Sequence, residues 1–433
     1  MIKQELNGVT GNGIFPVSCK MAQHLYVGIG LVGHPFPVAD RVAPVFHSIR
    51  IYPLGPGGRV NDRREKFRTI VARSEGSFTI PGAEELRASG PVGMSVEVFD
   101  YLDGASNRCG VYSLALYLDD RLIYRHLMDE FSFSETRYIN AHIDYEELIT
   151  GGIKAHSLHR KPNDRLRIYR ELEDNGIIRL KEGVRHRLRI VATDVAGNQS
   201  DLRFRITGAS PALSQPGQNM AAEGIMMKYD RENHFTDHEI SLSIPSYALY
   251  EDLLFTFSRS PSDYGSVTDL YHISETTVPV HRRYTLSITP PRMDPGLYQK
   301  LCLVRLDEEG LPDYVDGEFQ EGAFLANPRE FGTFTLMIDT VAPEIIPLTP
   351  AGNKDRTGAR SLRFTITDEL SGIGRYEGYL DNRWVLFEYD MKNDLLFHTP
   401  DQPVPGKKAS HELELYVTDE AGNVQLYHQE FKW

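Results

Sequence analysis

The sequence predicts an all-β chain of tandem immunoglobulin-like β-sandwich domains, with insertions in the first one. Three observations carry that expectation. Short apolar runs alternate with polar residues at the two-residue period of a half-buried strand, and helix-forming runs are few and short. An internal repeat presents the same strand and turn signals twice in the same order. Tyr (22) and Phe (20) are plentiful, and both favour pleated surfaces over helix faces.

The repeat is plainest at its end, where HRLRIVATDVAGN (His186–Asn198) aligns without a gap with HELELYVTDEAGN (His411–Asn423). Leu188, Ile190 and Ala192 alternate as Leu413, Leu415 and Val417 do, so each run reads as a strand with one buried face. Each strand then enters Asp-x-Ala-Gly-Asn. Asp194 and Asp419 can bond their own backbone, Gly197 and Gly422 supply positive φ, and Asn198 and Asn423 tolerate it. These six residues are expected to shape turns, with calcium ligation by the two aspartates as the competing role.

Three further anchors pair in the same order. DRVAP (Asp40–Pro44) matches DTVAP (Asp339–Pro343), VEVFD (Val96–Asp100) matches RFTITD (Arg363–Asp368), and YLDDR (Tyr117–Arg121) matches YLDNR (Tyr379–Arg383). Each copy therefore opens at Val-Ala-Pro, where proline suits a strand start. The stretch between Arg121 and Thr193 exceeds its counterpart between Arg383 and Thr418 by 37 residues. That insertion carries FSFSETRYINAHIDYEE (Phe131–Glu147).

The resulting plan is an N-terminal segment at 1–39, sandwiches at 40–207 and 339–433, and a third sandwich at 208–338 between them. The middle one opens with a small-residue, Pro- and Gly-containing linker, then shows short alternating runs separated by turn residues. Its last run leads into Val-Ala-Pro with no linker, so the second and third sandwiches are expected to abut.

Composition narrows the function. A net charge of −13 and a pI near 5.6 argue against nucleic acid as a general partner. Two local basic clusters, Arg59–Arg68 and His159–Arg170, read as solvated strand edges or loops. Cys19, Cys109 and Cys302 form no C-x-x-C pair, hence neither a disulfide framework nor a zinc ribbon. No apolar run reaches the roughly 18 residues of a spanning helix. Leu25–Gly33 is apolar but short, and it begins too late for a signal h-region, so there is no clear signal peptide.

Chemistry-bearing patterns are sparse. HFTDH (His234–His238) and HSLH (His156–His159) lack a helix to present them as ligands. HIDYE (His142–Glu146) would place His142, Asp144 and Glu146 on one face if extended, most simply as a surface edge strand. No G-x-S-x-G elbow occurs, and Gly55–Gly58 lacks the lysine of a phosphate loop. The expectation is no catalytic residues, no metal site and no cofactor.

The run LYLDDRLIYRHLMDEFSFSETRYINAHIDYEE (Leu116–Glu147) resembles the region downstream of the protease domain in bacterial lysostaphin-type zinc endopeptidases, the twenty-third metallopeptidase family. The resemblance covers 40–207 and extends to 208–433 as further downstream modules. In that family a compact β domain cuts peptidoglycan cross-links outside the cytoplasm, with zinc held by a His-x3-Asp pair and a later His-x-His. Neither motif occurs in this sequence. Gly8–Ile29 resembles the end of such a protease domain, with His24-Leu25-Tyr26 standing where His-Leu-His belongs. Residues 1–39 thus read as a candidate remnant, too short for a protease, and an exported protein with this N-terminus would be truncated.

The resemblance implies an accessory, itself non-catalytic region of a peptidoglycan metallopeptidase, periplasmic or extracellular, whose partner is peptidoglycan or another envelope protein. The alternative is an extracellular carbohydrate- or protein-binding protein of adhesion type, unrelated to proteolysis; a hydrolase with an unrecognised site stands third. The candidate binding residues are Glu135, Arg137, Tyr138, Asn140, His142 and Asp144. The apolar members of Phe131–Glu147 are expected to brace the first sandwich against whatever lies N-terminal to it.

Overall fold

Strand alternation organises the computed structural model, which describes residues 40–432 apart from 56, 75, 83–85, 211–223, 263–264, 349–360 and 400–409. The candidate protease remnant at 1–39, with Cys19, lies outside the described residues. The chain is all-β, with a few short helices. It divides into two compact units. The first holds the chain up to Ala222 together with Leu249–Asp252 and Thr277–His281, and the second holds the rest.

In the first unit, a small sheet runs in the order Ala155–Ser157, Pro91–Phe99, Val45–Pro53, Phe67–Ile70. A larger sheet runs Tyr169–Leu172, Arg121–Leu127, Ser113–Leu118, Arg185–Thr193, Gln199–Gly208, Ser77–Thr79, Ala72–Ser74. Ile49, Ile51, Met94, Val96 and Val98 of the small sheet meet Leu114, Leu116, Leu188, Ile190, Leu202 and Phe204 of the large one in a single core. Because side chains alternate along a strand, the small sheet's other face carries Ser48, Arg50, Tyr52, Ser95 and Glu97. Arg50 and Ser95 on that face are nonetheless fully buried. A strand buried on both faces needs a covering layer.

The second unit contains two five-stranded sheets between Asn233 and Ile338 and two four-stranded sheets between Glu344 and Lys432. Ile240, Leu242, Leu286 and Phe324 line one five-stranded sheet, and Tyr271, Leu303, Phe334 and Leu336 line the other. The last sandwich closes on Leu362, Phe364, Ile366, Leu396, Leu413, Leu415, Val417 and Phe431. No linker separates strand Gly332–Ile338 from Glu344–Pro347. The Lys300 ammonium donates to the Ala421 carbonyl at 2.9 Å and to Asn423 Oδ1 at 2.6 Å, joining the two sandwiches of this unit.

The two copies share their turns atom for atom. Asp119 and Asp120 have φ of 48° and 66°, and Asp381 and Asn382 have 51° and 64°, the doubly left-handed form of a tight hairpin. Asp119 Oδ2 meets His186 Nδ1 at 2.6 Å, and Asp381 Oδ2 meets His411 Nδ1 at 2.8 Å. In the Asp-x-Ala-Gly-Asn turns, Gly197 and Gly422 take φ of 92° and 76°. The Asn198 amide N–H donates to Asp194 Oδ1 at 2.8 Å, and its Nδ2 donates to Asp194 Oδ2 at 2.7 Å and to the Asp40 carbonyl at 3.1 Å. Asn423 repeats all three bonds, to Asp419 at 2.7 Å twice and to the Asp339 carbonyl at 3.1 Å. Each asparagine therefore clasps the turn to the start of its own copy.

Replacing Asn423 with Ala removes the side-chain half of that clasp and strands Asp419 in a buried position. The variant is expected to lose about 2 kcal/mol in chemical denaturation, the range for a buried polar group left unmatched.

Candidate functional site

The covering layer is the inserted segment. Ser132 caps a 3-10 turn at Phe133–Tyr138, a short helix follows at Ile139–His142, and another spans Tyr145–Gly151. Asp144 caps the latter by accepting from the Glu147 amide at 3.3 Å, and Gly152 ends it at φ 64°. The edge strand expected for HIDYE is thus not formed: Asp-x-x-Glu followed by Gly is a helix start and stop, and it outweighs the alternation. Of the three alternating residues, His142 and Asp144 are buried and Glu146 is exposed, while Glu147 is buried with the first two.

Glu147 reaches the polar face of the small sheet. Arg50 Nε donates to Glu147 Oε2 at 3.0 Å and Arg50 Nη1 to Ser48 Oγ at 2.7 Å. Lys66 adds an ion pair to Glu147 at 2.7 Å, and Arg68 one at 3.6 Å. These cations hold the Glu147 carboxyl below its ordinary range although burial pushes the other way. Asp144 accepts from the Tyr52 hydroxyl and, at 3.0 Å, from Ser95 Oγ. Burial raises its pKa to about 6.

Most arginines of the two basic clusters are exposed, as expected of solvated edges and loops, yet members of both also pair with carboxylates of the inserted segment. Besides Lys66 and Arg68, Arg167 pairs with Glu135 at 2.5 Å and Arg170 with Asp129 at 2.7 Å. Arg137 donates to the carbonyls of Val280 and His281, each at 3.0 Å. Tyr138 stacks on His281 with centroids 4.1 Å apart, and Tyr250 donates to the Arg137 carbonyl at 2.6 Å. Tyr138, Ala141, Leu166, Ile168 and Tyr250 form a satellite core. The brace found among the described residues thus involves Leu249–Asp252 and Thr277–His281, later in the chain. Asn140 is half-buried and makes no side-chain hydrogen bond among the described residues.

Three histidines meet under this layer. His126 comes from the large sheet, His156 from the edge of the small one and His142 from the insert, with one ring nitrogen each within 4.8 Å of the others. His142 Nε2 lies 3.2 Å from His156 Nδ1, and His126 Nε2 has no hydrogen-bond partner. Tyrosine hydroxyls engage the opposite nitrogens, Tyr124 on His126 Nδ1 at 3.0 Å and Tyr169 on His142 Nδ1 at 3.1 Å. Burial drives all three imidazoles towards the neutral form, His156 to about 4. Chemically, the trio is a neutral polar network whose nitrogens are of the kind a transition metal takes.

A second candidate surface lies on the last sandwich. In the sheet Arg383–Val385, Ile373–Leu380, Ser410–Asp419, Val424–Lys432, the inward residues are Leu380, Leu413, Leu415, Val417 and Phe431. Cross-strand partners share a face, so Trp384 stands beside Tyr379, and Tyr416 beside Leu426. The Tyr379 and Tyr416 rings are 6.2 Å apart, edge to face. Trp384 is 58% exposed and Leu426 45%, so this outer face is an open aromatic strip. Carboxylates interleave with it: Glu377 pairs with Tyr416 across the strands and Glu414 with Tyr379.

Residues 224–339 match the model of the Zu5-like domain, about a quarter of the chain, on the middle sandwich. No curated protein matches the chain. Among solved structures, a 1.5-MDa bacterial ice-binding adhesin is similar at 10% identity, covering 92% of this chain and 98% of its own, with a TM-score of 0.15. The glycan-binding protein SGBP-B of the Bacteroides ovatus mixed-linkage glucan utilization locus is 9% identical, covering 79% and 63%, with a TM-score of 0.14. The extracellular cadherin domains 1–4 of protocadherin gamma B7 are 9% identical, covering 80% and 71%, at 0.18. TM-scores this low define neither the fold of this chain nor its function.

Two outcomes test the buried layer. Glu147→Ala removes the close partner of buried Arg50 and leaves it only Glu97, 3.9 Å away, so stability should fall by about 3 kcal/mol in urea titrations. His156 titrates near 6.5 when unfolded and near 4 when folded, so the unfolded chain binds the extra proton between those values. Its contribution is complete above pH 6.5 and is lost as pH falls towards 4. The buried aspartates shift the opposite way, so the readout is a difference: wild type should lose stability relative to His156→Gln between pH 7 and 4.5.

Proposed function

We propose that this chain is an extracellular binding protein of adhesion type, not itself catalytic, that holds carbohydrate on the outer face of its last sandwich. The observation that supports this most is the Trp384–Tyr379–Tyr416 strip beside Glu377 and Glu414. An exposed aromatic patch on a folded domain marks an interaction surface more often than chance. Ring faces suit the apolar C–H face of a sugar, and carboxylates accept hydrogen bonds from its hydroxyls. The strip crosses adjacent strands of one outer sheet face, an arrangement that suits a polysaccharide chain more than a small ligand.

The second reading keeps the lysostaphin-type resemblance, with the chain as an accessory region beside a peptidoglycan peptidase. The inserted segment favours it, since Phe131–Glu147 carries that likeness and is built into the first unit's core. One experiment separates the two: sedimentation of the full chain with peptidoglycan sacculi and with an insoluble neutral β-glucan. Trp384→Ala should weaken glucan binding roughly tenfold or more, about 1.4 kcal/mol, while leaving the melting temperature unchanged. Undiminished glucan binding by that variant, or binding of sacculi alone, sinks the carbohydrate-strip reading.

A further inference from the structure

Three of the four repeat anchors contain an aspartate that the fold carries to one point. In the first unit these are Asp40, Asp100 and Asp194; in the second they are Asp339, Asp368 and Asp419. Within each triad, one carboxylate oxygen from every member lies within 4.8 Å of the other two. The members come from the lead-in to the first strand, the end of the next long strand, and the Asp-x-Ala-Gly-Asn turn. Two copies with different insertions, sharing few other residues, have the same three carboxylates converging.

Local hydrogen bonds aim these groups without neutralising them. Asp40 Oδ1 accepts from the Val42 amide at 3.1 Å, and Asp339 Oδ1 from that of Val341 at 3.1 Å. Asp368 Oδ2 accepts from the Gly372 amide at 2.8 Å, and Asp339 Oδ2 from Ser371 Oγ at 2.6 Å. Among the described residues, no ion pair falls on any of the six. Asp100 is 1% exposed, and its Oδ1 has no hydrogen-bond partner; the buried Oδ1 of Asp368 has none either. Burial, reinforced by Asp194 and Asp40, lifts the Asp100 pKa to about 7, and Asp419 is raised by burial with Asp339 and Asp368 beside it. A buried carboxylate with an unmatched oxygen, grouped with two more carboxylates, is unfavourable unless a cation completes the group.

We propose that each triad is a calcium site, so that the chain carries two. The donors are all oxygens, and three carboxylates supply the charge a hard divalent ion requires. Oxygens around calcium at about 2.3–2.6 Å lie up to roughly 5 Å apart across the ion, the spread found here. Magnesium, which needs near-octahedral ligands at about 2.0–2.1 Å and keeps its waters, fits a preformed carboxylate group less well. An ion at this place ties the entry of a sandwich to its second long strand and its final turn. It acts on the ends of the modules through residues that are not part of the aromatic strip, and stands whether or not that strip binds glycan.

The test uses the full chain stripped with a chelator, then dialysed against CaCl2 and assayed for bound metal alongside thermal unfolding. Wild type should take up two calcium ions and melt at a higher temperature as CaCl2 rises to about 10 mM, since extracellular modules bind at about 0.1–1 mM. Asp100→Asn and Asp368→Asn should each remove one ion, and the double variant should lose the calcium-dependent shift. Without calcium the double variant should melt no lower than wild type, because two repelling charges are gone. MgCl2 should give a smaller shift than CaCl2. Wild type that binds no calcium, measured without any substitution, overturns the proposal. So does a double variant that retains both ions.

Discussion

Arg50 is the residue on which the first unit turns. A guanidinium with no exposed surface cannot lose its proton, so something must bring it a carboxylate. Strand Val45–Pro53 points Ile49 and Ile51 into the sandwich, and the pleat then forces Arg50 outward onto the opposite face. Glu147 answers from the inserted helix, and Asp144 fixes that helix by capping it and by accepting from Tyr52 and Ser95. The insert is therefore a polar lid over a sheet whose other side is apolar. Its removal would expose a charged strand face, not merely shorten a loop.

Legibility in the sequence follows how local each signal is. Strand alternation spans five to nine residues, so runs such as His186–Thr193 and Ile240–Ile244 declare themselves. The repeat reinforces them, since a turn such as Asp-x-Ala-Gly-Asn carries its own positive-φ glycine. The insert misleads for the same local reason. His142, Asp144 and Glu146 alternate, yet Asp144, Glu147 and Gly152 contain the start and stop of a helix within nine residues. Weighing the cap above the alternation would have found it.

The histidine trio and the aspartate triads were legible only in part, because their members are distant in sequence. His126, His142 and His156 sit on three different elements, with spacings that match no ligand pattern. The partners of Lys66, Arg68 and Arg167 lie 81, 79 and 32 residues away, so charge alone does not show what these side chains meet. Local turn chemistry places Asp194 and Asp419 in turns, but only the fold brings Asp40, Asp100, Asp339 and Asp368 to them.

The joint at Lys300 has a mechanical meaning. Its ammonium bridges the strand Leu301–Leu306 region to the Ala421–Asn423 turn, and Asn423 in turn grips the backbone at Asp339, where one sandwich gives way to the next. Tension applied along the second unit would be shared between the covalent chain at Asp339 and this cross-tie. The two sandwiches are then held by two ties at their joint, and the load on the covalent chain there is reduced by the one through Lys300.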